Sequence, residues 1–174
     1  LDLHRHTWTK DHPNIGGEWS YLANLIGTTN QTMYIVNQSP EGATKNTSIA
    51  ELRTMRALFY FYMMDQFGNV PIDTVYPSKD LNTNSARVQV FSFVESELKA
   101  AIPFLKTNSG ATTYGKPTRY MAFSLLAKMY LNAATTESVP AQGTVIGDAL
   151  KMCNASYNSK EKKYKALVLI SDGE

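Results

Sequence analysis

All three histidines, His4, His6 and His12, sit in the opening stretch "LDLHRHTWTKDHPNIG". His-x-His spacing occurs in metal sites. With no carboxylate or cysteine at fitting distances, it points instead to loop side chains that hydrogen-bond backbone groups. The same stretch holds Trp8, and Trp19 follows it. An indole face matches the C–H surface of a pyranose ring, with Arg5, Asp11 or Asn14 at hand for hydroxyls, so one chemistry here is sugar stacking. The other reading packs the tryptophans into a core. Arg53 and Arg56 stand in the apolar run "ELRTMRALFYFYMMDQFGNVP". They predict a buried arginine paired with a carboxylate, either Asp65 or a glutamate of a neighbouring element. Glu95 and Glu97 read as acids on a helix surface, with no partner at a spacing suited to general acid–base work. No Ser-His-Asp order, phosphate-cradling loop or nucleophile elbow occurs. The sequence therefore reads as a non-enzyme.

The composition sets the frame for these residues. The chain has 174 residues, 43% hydrophobic and 18% charged, as expected of a globular protein with a real core. Its formal charge of +2 arises from 17 basic and 15 acidic residues, spread out except for "SKEKKYK" near the end. That distribution gives no nucleic-acid footprint. The one cysteine, Cys153, excludes an intrachain disulfide and a cysteine-based zinc site. No run of about 18 apolar residues is present to span a bilayer. No signal sequence is visible and the first residue is not Met, so a mature or excised piece is expected. Asn30, Asn46 and Asn154 head N-x-S/T triplets of the kind that arise by chance.

Helical periodicity organises most of the chain. Residues 1–16 read as an irregular loop. Trp19, Leu22, Ile26, Met33 and Val36 predict a helix from Glu18 to Val36, weakened at Gly27-Thr28-Thr29. A connector then ends at Thr47 or Ser48, both good N-caps. The following helix runs to Phe67. Ile49, Leu52, Arg56, Phe59, Met63 and Phe67 share one of its faces, and Leu58, Phe61, Tyr62 and Asp65 fill the flank. So much apolar circumference requires packing on more than one side, so most of these rings belong to the core. Gly68 or Asn69 supplies the left-handed stop.

Helices are predicted over residues 47–67, 87–105 and 117–134, with Pro117 in the first turn of the last. Phe59, Met63, Phe67, Phe93, Leu98, Leu125 and Met129 are the expected core. Loops cover 1–17, 68–86 and 106–116. The fold class is mainly α, with antiparallel helix hairpins packed as an α-solenoid. After Ala134 the pattern changes. An amphipathic helix (Ile146, Ala149, Leu150, Cys153) leads into "KALVLISDGE", which reads as a buried strand with a polar tip, a short α/β-like segment. The expected division is therefore 1–134 and 135–174.

The first part resembles the SusD/RagB family of surface glycan-binding lipoproteins of Bacteroidetes. The segments that carry the resemblance are "LHRHTWTKDHPNIGGEWSYLANLIGTTNQ", "ELRTMRALFYFYMMDQFGNVPI" and "GKPTRYMAFSLLAKMYLNA". The second matches that family's R-A-x-x-Y-F-x-L-x-x-x-F-G-x-V-P signature from Arg56 to Pro71. The resemblance implies a non-enzymatic protein without cofactor, built on tetratricopeptide-type hairpins. Such a protein lies over a TonB-dependent, SusC-like outer-membrane transporter as a lid that captures oligosaccharides or peptides, and it meets the membrane only through a lipid anchor.

The last segment resembles part of a von Willebrand factor A domain of the aerotolerance type. Thr144 matches that domain's loop threonine and Asp172 its strand-end aspartate. The D-x-S-x-S element is absent, and one hydroxyl plus one carboxylate do not make the roughly six-oxygen shell that Mg²⁺ demands. No bound metal is expected at Thr144 and Asp172. Ligand contact is expected from the loop aromatics Trp8, Tyr76 and Tyr114, each flanked by Asn, Asp, Lys or Thr. The alternatives are a tetratricopeptide-like scaffold for protein or peptide, and a metal-dependent interaction module in residues 137–174.

Overall fold

The computed structural model describes residues 2–78, 82–108 and 110–133. Its described part is mainly α: helix α1 spans Pro13–Asn37, α2 Ala43–Phe67, α3 Arg87–Ala101 and α4 Arg119–Ala133. Residues 135–174, with Thr144, Asp172 and the expected strand, lie outside the described residues.

α1 starts inside the stretch read as loop. His12 is its N-cap in extended conformation, and its Nδ1 accepts the Asn14 N–H at 3.2 Å. Pro13 then takes the first position, where a missing N–H costs nothing and φ is already helical. Gly27-Thr28-Thr29 does not interrupt the helix. The hydroxyls of Thr29 and Thr32 donate to the carbonyls of Leu25 (2.7 Å) and Thr28 (2.8 Å), which satisfies them without breaking the ladder.

α2 also starts early, with Gly42 at its N-cap, so Thr47 and Ser48 lie within the helix and cap nothing. Lys45 fixes the turn instead. Its ammonium donates to the carbonyls of Asn37 (2.7 Å) and Ser39 (3.1 Å) and to the Glu41 carboxylate (2.6 Å). A cation there satisfies carbonyls that the end of α1 leaves open. The stop of α2 is the expected one: Gly68 has φ 73° and its N–H bonds the Met64 carbonyl.

α3 gives way to a 3-10 turn at Ile102–Phe104, where Pro103 has no N–H to continue the ladder. Pro117 is buried just ahead of α4 and is not in its first turn. The start of α4 is set by Arg119. Its Nε donates to the Ile102 carbonyl (3.0 Å) and its backbone N–H to that of Lys106 (2.9 Å), which ties α4 to the end of α3. The loop over 68–86 contains a short antiparallel ladder: β1, Val70–Pro71, pairs with β2, Asn84–Ser85, in the register Val70↔Ser85 and Pro71↔Asn84.

Side-chain contacts make the helices antiparallel neighbours in sequence. Trp19 at the start of α1 meets Phe67 at the end of α2, edge-on at 5.1 Å. Glu97 of α3 meets Arg53 and Arg56 of α2, and Tyr130 of α4 meets Glu95 of α3. α2 is thus packed on several sides, as its sequence required.

Its fully buried stripe is shifted from the expected face, however. Ala50, Thr54, Ala57, Phe61 and Met64 form it, with Arg56, Tyr60 and Met63 alongside. Ala50, Thr54 and Ala57 are small and buried, whereas the larger Phe59 and Phe67 are only half-buried and pack against the core from its margin. Phe93 is likewise half-buried and meets Tyr60 edge-on at 5.1 Å. Met63, Leu98, Leu125 and Met129 are core residues, as expected.

Candidate ligand-binding surface

A buried polar network holds the loop that follows β1. Glu97 is 3% exposed, which corrects its reading as a surface acid. One of its carboxylate oxygens accepts Nε of Arg53 at 3.0 Å; the other accepts Nε and Nη2 of Arg56 at 2.9 and 2.6 Å. The predicted arginine–carboxylate pair is therefore present, with Glu97 as the acid. Asp65 instead faces Arg87 at 4.0 Å. Arg56 also lies over the Phe93 ring, 5.8 Å from its centroid.

Nη1 of Arg56 donates to Asn30 Oδ1 at 2.8 Å, and Asn30 Nδ2 donates to the Asp73 carbonyl at 3.0 Å. Tyr60 grips the same residue twice: its hydroxyl donates to the Asp73 carbonyl at 3.0 Å and accepts the Asp73 N–H at 2.7 Å. Burial of that hydroxyl pushes its pKa up to about 12. The Asp73 carboxylate then accepts the Val75 N–H at 3.1 Å, an Asx turn that steers the chain into Tyr76.

Tyr76 emerges from this clamp half-exposed, its ring 5.8 Å from that of Tyr34 and tilted by 56°. Tyr34 is 48% exposed, and Val75 and Ile35 are also exposed. Two open rings on a pre-set backbone form a small aromatic surface, and each ring carries a hydroxyl. The sequence reading named Tyr76 and missed Tyr34, because a tyrosine inside a helix carries no signal that separates surface from core.

Trp8 does not join it. Trp8 is 48% exposed but precedes α1, whereas Tyr34 lies in the last turn of that helix. The helical rise puts roughly 32 Å between Pro13 and Tyr34, so Trp8 and Tyr76 mark opposite ends of α1. Tyr114 is 91% exposed, next to the 3-10 turn Ala111–Thr113, on the connection between α3 and α4. Trp19 is part of the packing against Phe67.

At the far side of α3, Glu95 accepts from Lys99 at 2.6 Å and from the Tyr130 hydroxyl. Burial would raise the Glu95 pKa, but these two bonds outweigh it and the net shift is downward. Burial, with Glu95 next to it, pushes Tyr130 up. Among the described residues no group of three or more His, Cys, Asp or Glu side chains is arranged to hold a metal ion.

The family model described as starch-binding and associating with the outer membrane, SusD-like, matches residues 1–131. The chain is 32% identical over 127 residues to a SusD-like protein of Bacteroides ovatus, covering 68% of this chain and 22% of the relative. It is 27% identical over 146 residues to the starch-binding protein SusD of Bacteroides thetaiotaomicron, covering 78% and 26%. Among solved structures, one determined with a xylogluco-oligosaccharide superposes with a TM-score of 0.71 at 27% identity, covering 86% of this chain and 30% of that one. The chain thus spans about a quarter of the length of the curated relatives that it matches.

Proposed function

Since the chain belongs to the SusD-like family, we propose that it is a non-catalytic nutrient-binding protein that captures oligosaccharides at the cell surface. It hands them to a SusC-like, TonB-dependent transporter of the outer membrane, and a lipid anchor holds it there. The observation that carries this reading is the Tyr76–Tyr34 pair, open to solvent on a loop gripped at Asp73. A sugar ring offers C–H groups to such rings and hydroxyls to their phenolic rims, so little side-chain ordering is needed on binding. The xylogluco-oligosaccharide bound by a structural relative supports an extended glycan as ligand.

Tyr76 is the central contact in this reading. Tyr114 is a further contact, and Trp8 is a separate one, because α1 keeps Trp8 apart from Tyr76. Stacking plus a few hydrogen bonds on a shallow surface corresponds to micromolar to millimolar affinity, about 4–8 kcal/mol. The test measures binding of a glycan panel, with starch and xyloglucan fragments included, to the wild type and to Tyr76→Ala, Trp8→Ala and Tyr114→Ala. Tyr76→Ala should lose most of the binding. If all three folded variants bind like the wild type, the loop-aromatic site is wrong. Binding of peptides and of no glycan would make the protein a scaffold.

A further inference from the structure

A concavity lies at the end of the bundle where α1 turns into α2 and α3 runs into its 3-10 turn. It is a cleft of about 210 Å³ whose walls include Asn37, Glu41, Lys45, Asn46, Arg53 and Phe104. Its charges do not cancel. Lys45 and Glu41 neutralise each other at 2.6 Å. Glu97, a single carboxylate, faces two guanidiniums, Arg53 at 2.9 Å and Arg56 at 2.6 Å. Arg56 is buried and turns its remaining edge to Asn30. Arg53 keeps 36% of its side chain in solvent, and no described residue accepts from its Nη1. The excess positive charge therefore faces the cleft on a guanidinium whose plane Glu97 has already fixed. Phe104, 51% exposed, supplies an apolar face, and the amides of Asn37 and Asn46 offer donors and acceptors.

We propose that this cleft binds a single acidic sugar ring, a hexuronate, through its carboxylate on Arg53 and its C–H face on Phe104. The size supports one ring: roughly 300–1,000 Å³ is usual for larger ligands, and this cleft is smaller. A carboxylate at Nη1 completes the charge pairing that Glu97 leaves half done, and guanidinium–carboxylate bonds are the strong kind. The saccharide class rests on the function proposed above; the acidic group and the location do not.

The experiment titrates the full chain with methyl glucuronide, methyl glucoside and acetate, by calorimetry or ligand-observed NMR. Glucuronide should bind about tenfold or more tightly than glucoside, weaken as salt rises, and lose about tenfold in Arg53→Gln. Arg56 keeps Glu97 paired in that variant. Phe104→Ala removes an exposed ring and should also weaken glucuronide, which keeps the idea testable should Arg53→Gln fail to fold. Tyr76→Ala should leave glucuronide binding intact. A wild type that binds glucuronide but no neutral glycan would fault only the Tyr76 site. Glucuronide no tighter than glucoside, acetate equal to glucuronide, or binding unchanged in both Arg53→Gln and Phe104→Ala would overturn the proposal.

Discussion

Replacing Glu97 with alanine should be among the most damaging single changes available outside the apolar core. The carboxylate is 3% exposed and joins α3 to both arginines of α2. Arg53 is partly solvated and can turn towards water, so its share of the loss is small, below about 1 kcal/mol. Arg56, 5% exposed, cannot. It would be left as a buried cation with the Asn30 side chain and the face of Phe93 as company. Breaking a buried pair in this way costs about 3–5 kcal/mol. Against a total stability of roughly 5–15 kcal/mol, that is a large fraction. With an m-value of about 2 kcal/mol per molar urea, the unfolding midpoint should fall by about 1.5–2.5 M at unchanged m. Urea titration followed by circular dichroism reads this directly. A shift below about 0.5 M would mean that the guanidinium escapes to water, and the buried-charge argument would fail. The double variant Glu97→Leu with Arg56→Met should recover most of the loss, since a buried pair is often replaceable by apolar groups of similar size.

Two further outcomes follow from the packing. Tyr60 is held neutral in the native state with a pKa of about 12, above the ordinary tyrosine value of 10.0. Its contribution is complete below the unfolded pKa and disappears as pH rises from about 10 to about 12, at no more than about 1.4 kcal/mol per pH unit. Urea midpoints between pH 8 and 11.5 should fall less steeply in Tyr60→Phe than in the wild type, and parallel curves would contradict the assignment. Phe61→Ala should cost about 3–5 kcal/mol, whereas the half-buried Phe59→Ala should cost about half as much or less. Equal losses in chemical denaturation would return Phe59 to the centre of the core.

Periodicity located the four helices of the described residues because the bulk of their apolar residues recur at helical intervals, and the Gly68 stop was legible from its backbone freedom. The helix starts were less legible. His12 and Lys45 work through atoms that meet only after folding: an imidazole nitrogen on the Asn14 N–H, and an ammonium reaching back across a turn. Glu97 was misread for a similar reason. A glutamate on a helix is usually solvated, and only the two guanidiniums brought to it from α2 make its burial tolerable. Asn30 appeared in the sequence as the head of a chance N-x-T triplet, whereas its amide bridges Arg56 to the Asp73 peptide. Sequence spacing could not place Trp8 and Tyr76 on different ends of a helix whose true start lay in an apparent loop.

The β1–β2 ladder makes the intervening loop an interchangeable cassette. Val70↔Ser85 and Pro71↔Asn84 fasten its two roots side by side, so α2 and α3 do not depend on its length to find each other. Lengthening a closed loop is thermodynamically cheap, about 0.6 kcal/mol per doubling. The stretch that displays Tyr76 can therefore be rewritten in length and lettering while the helices behind it keep their seats. Grafting a foreign loop between Pro71 and Asn84, with Ile72-Asp73 retained as the foothold, is the natural route to a chain of altered taste on an unaltered frame.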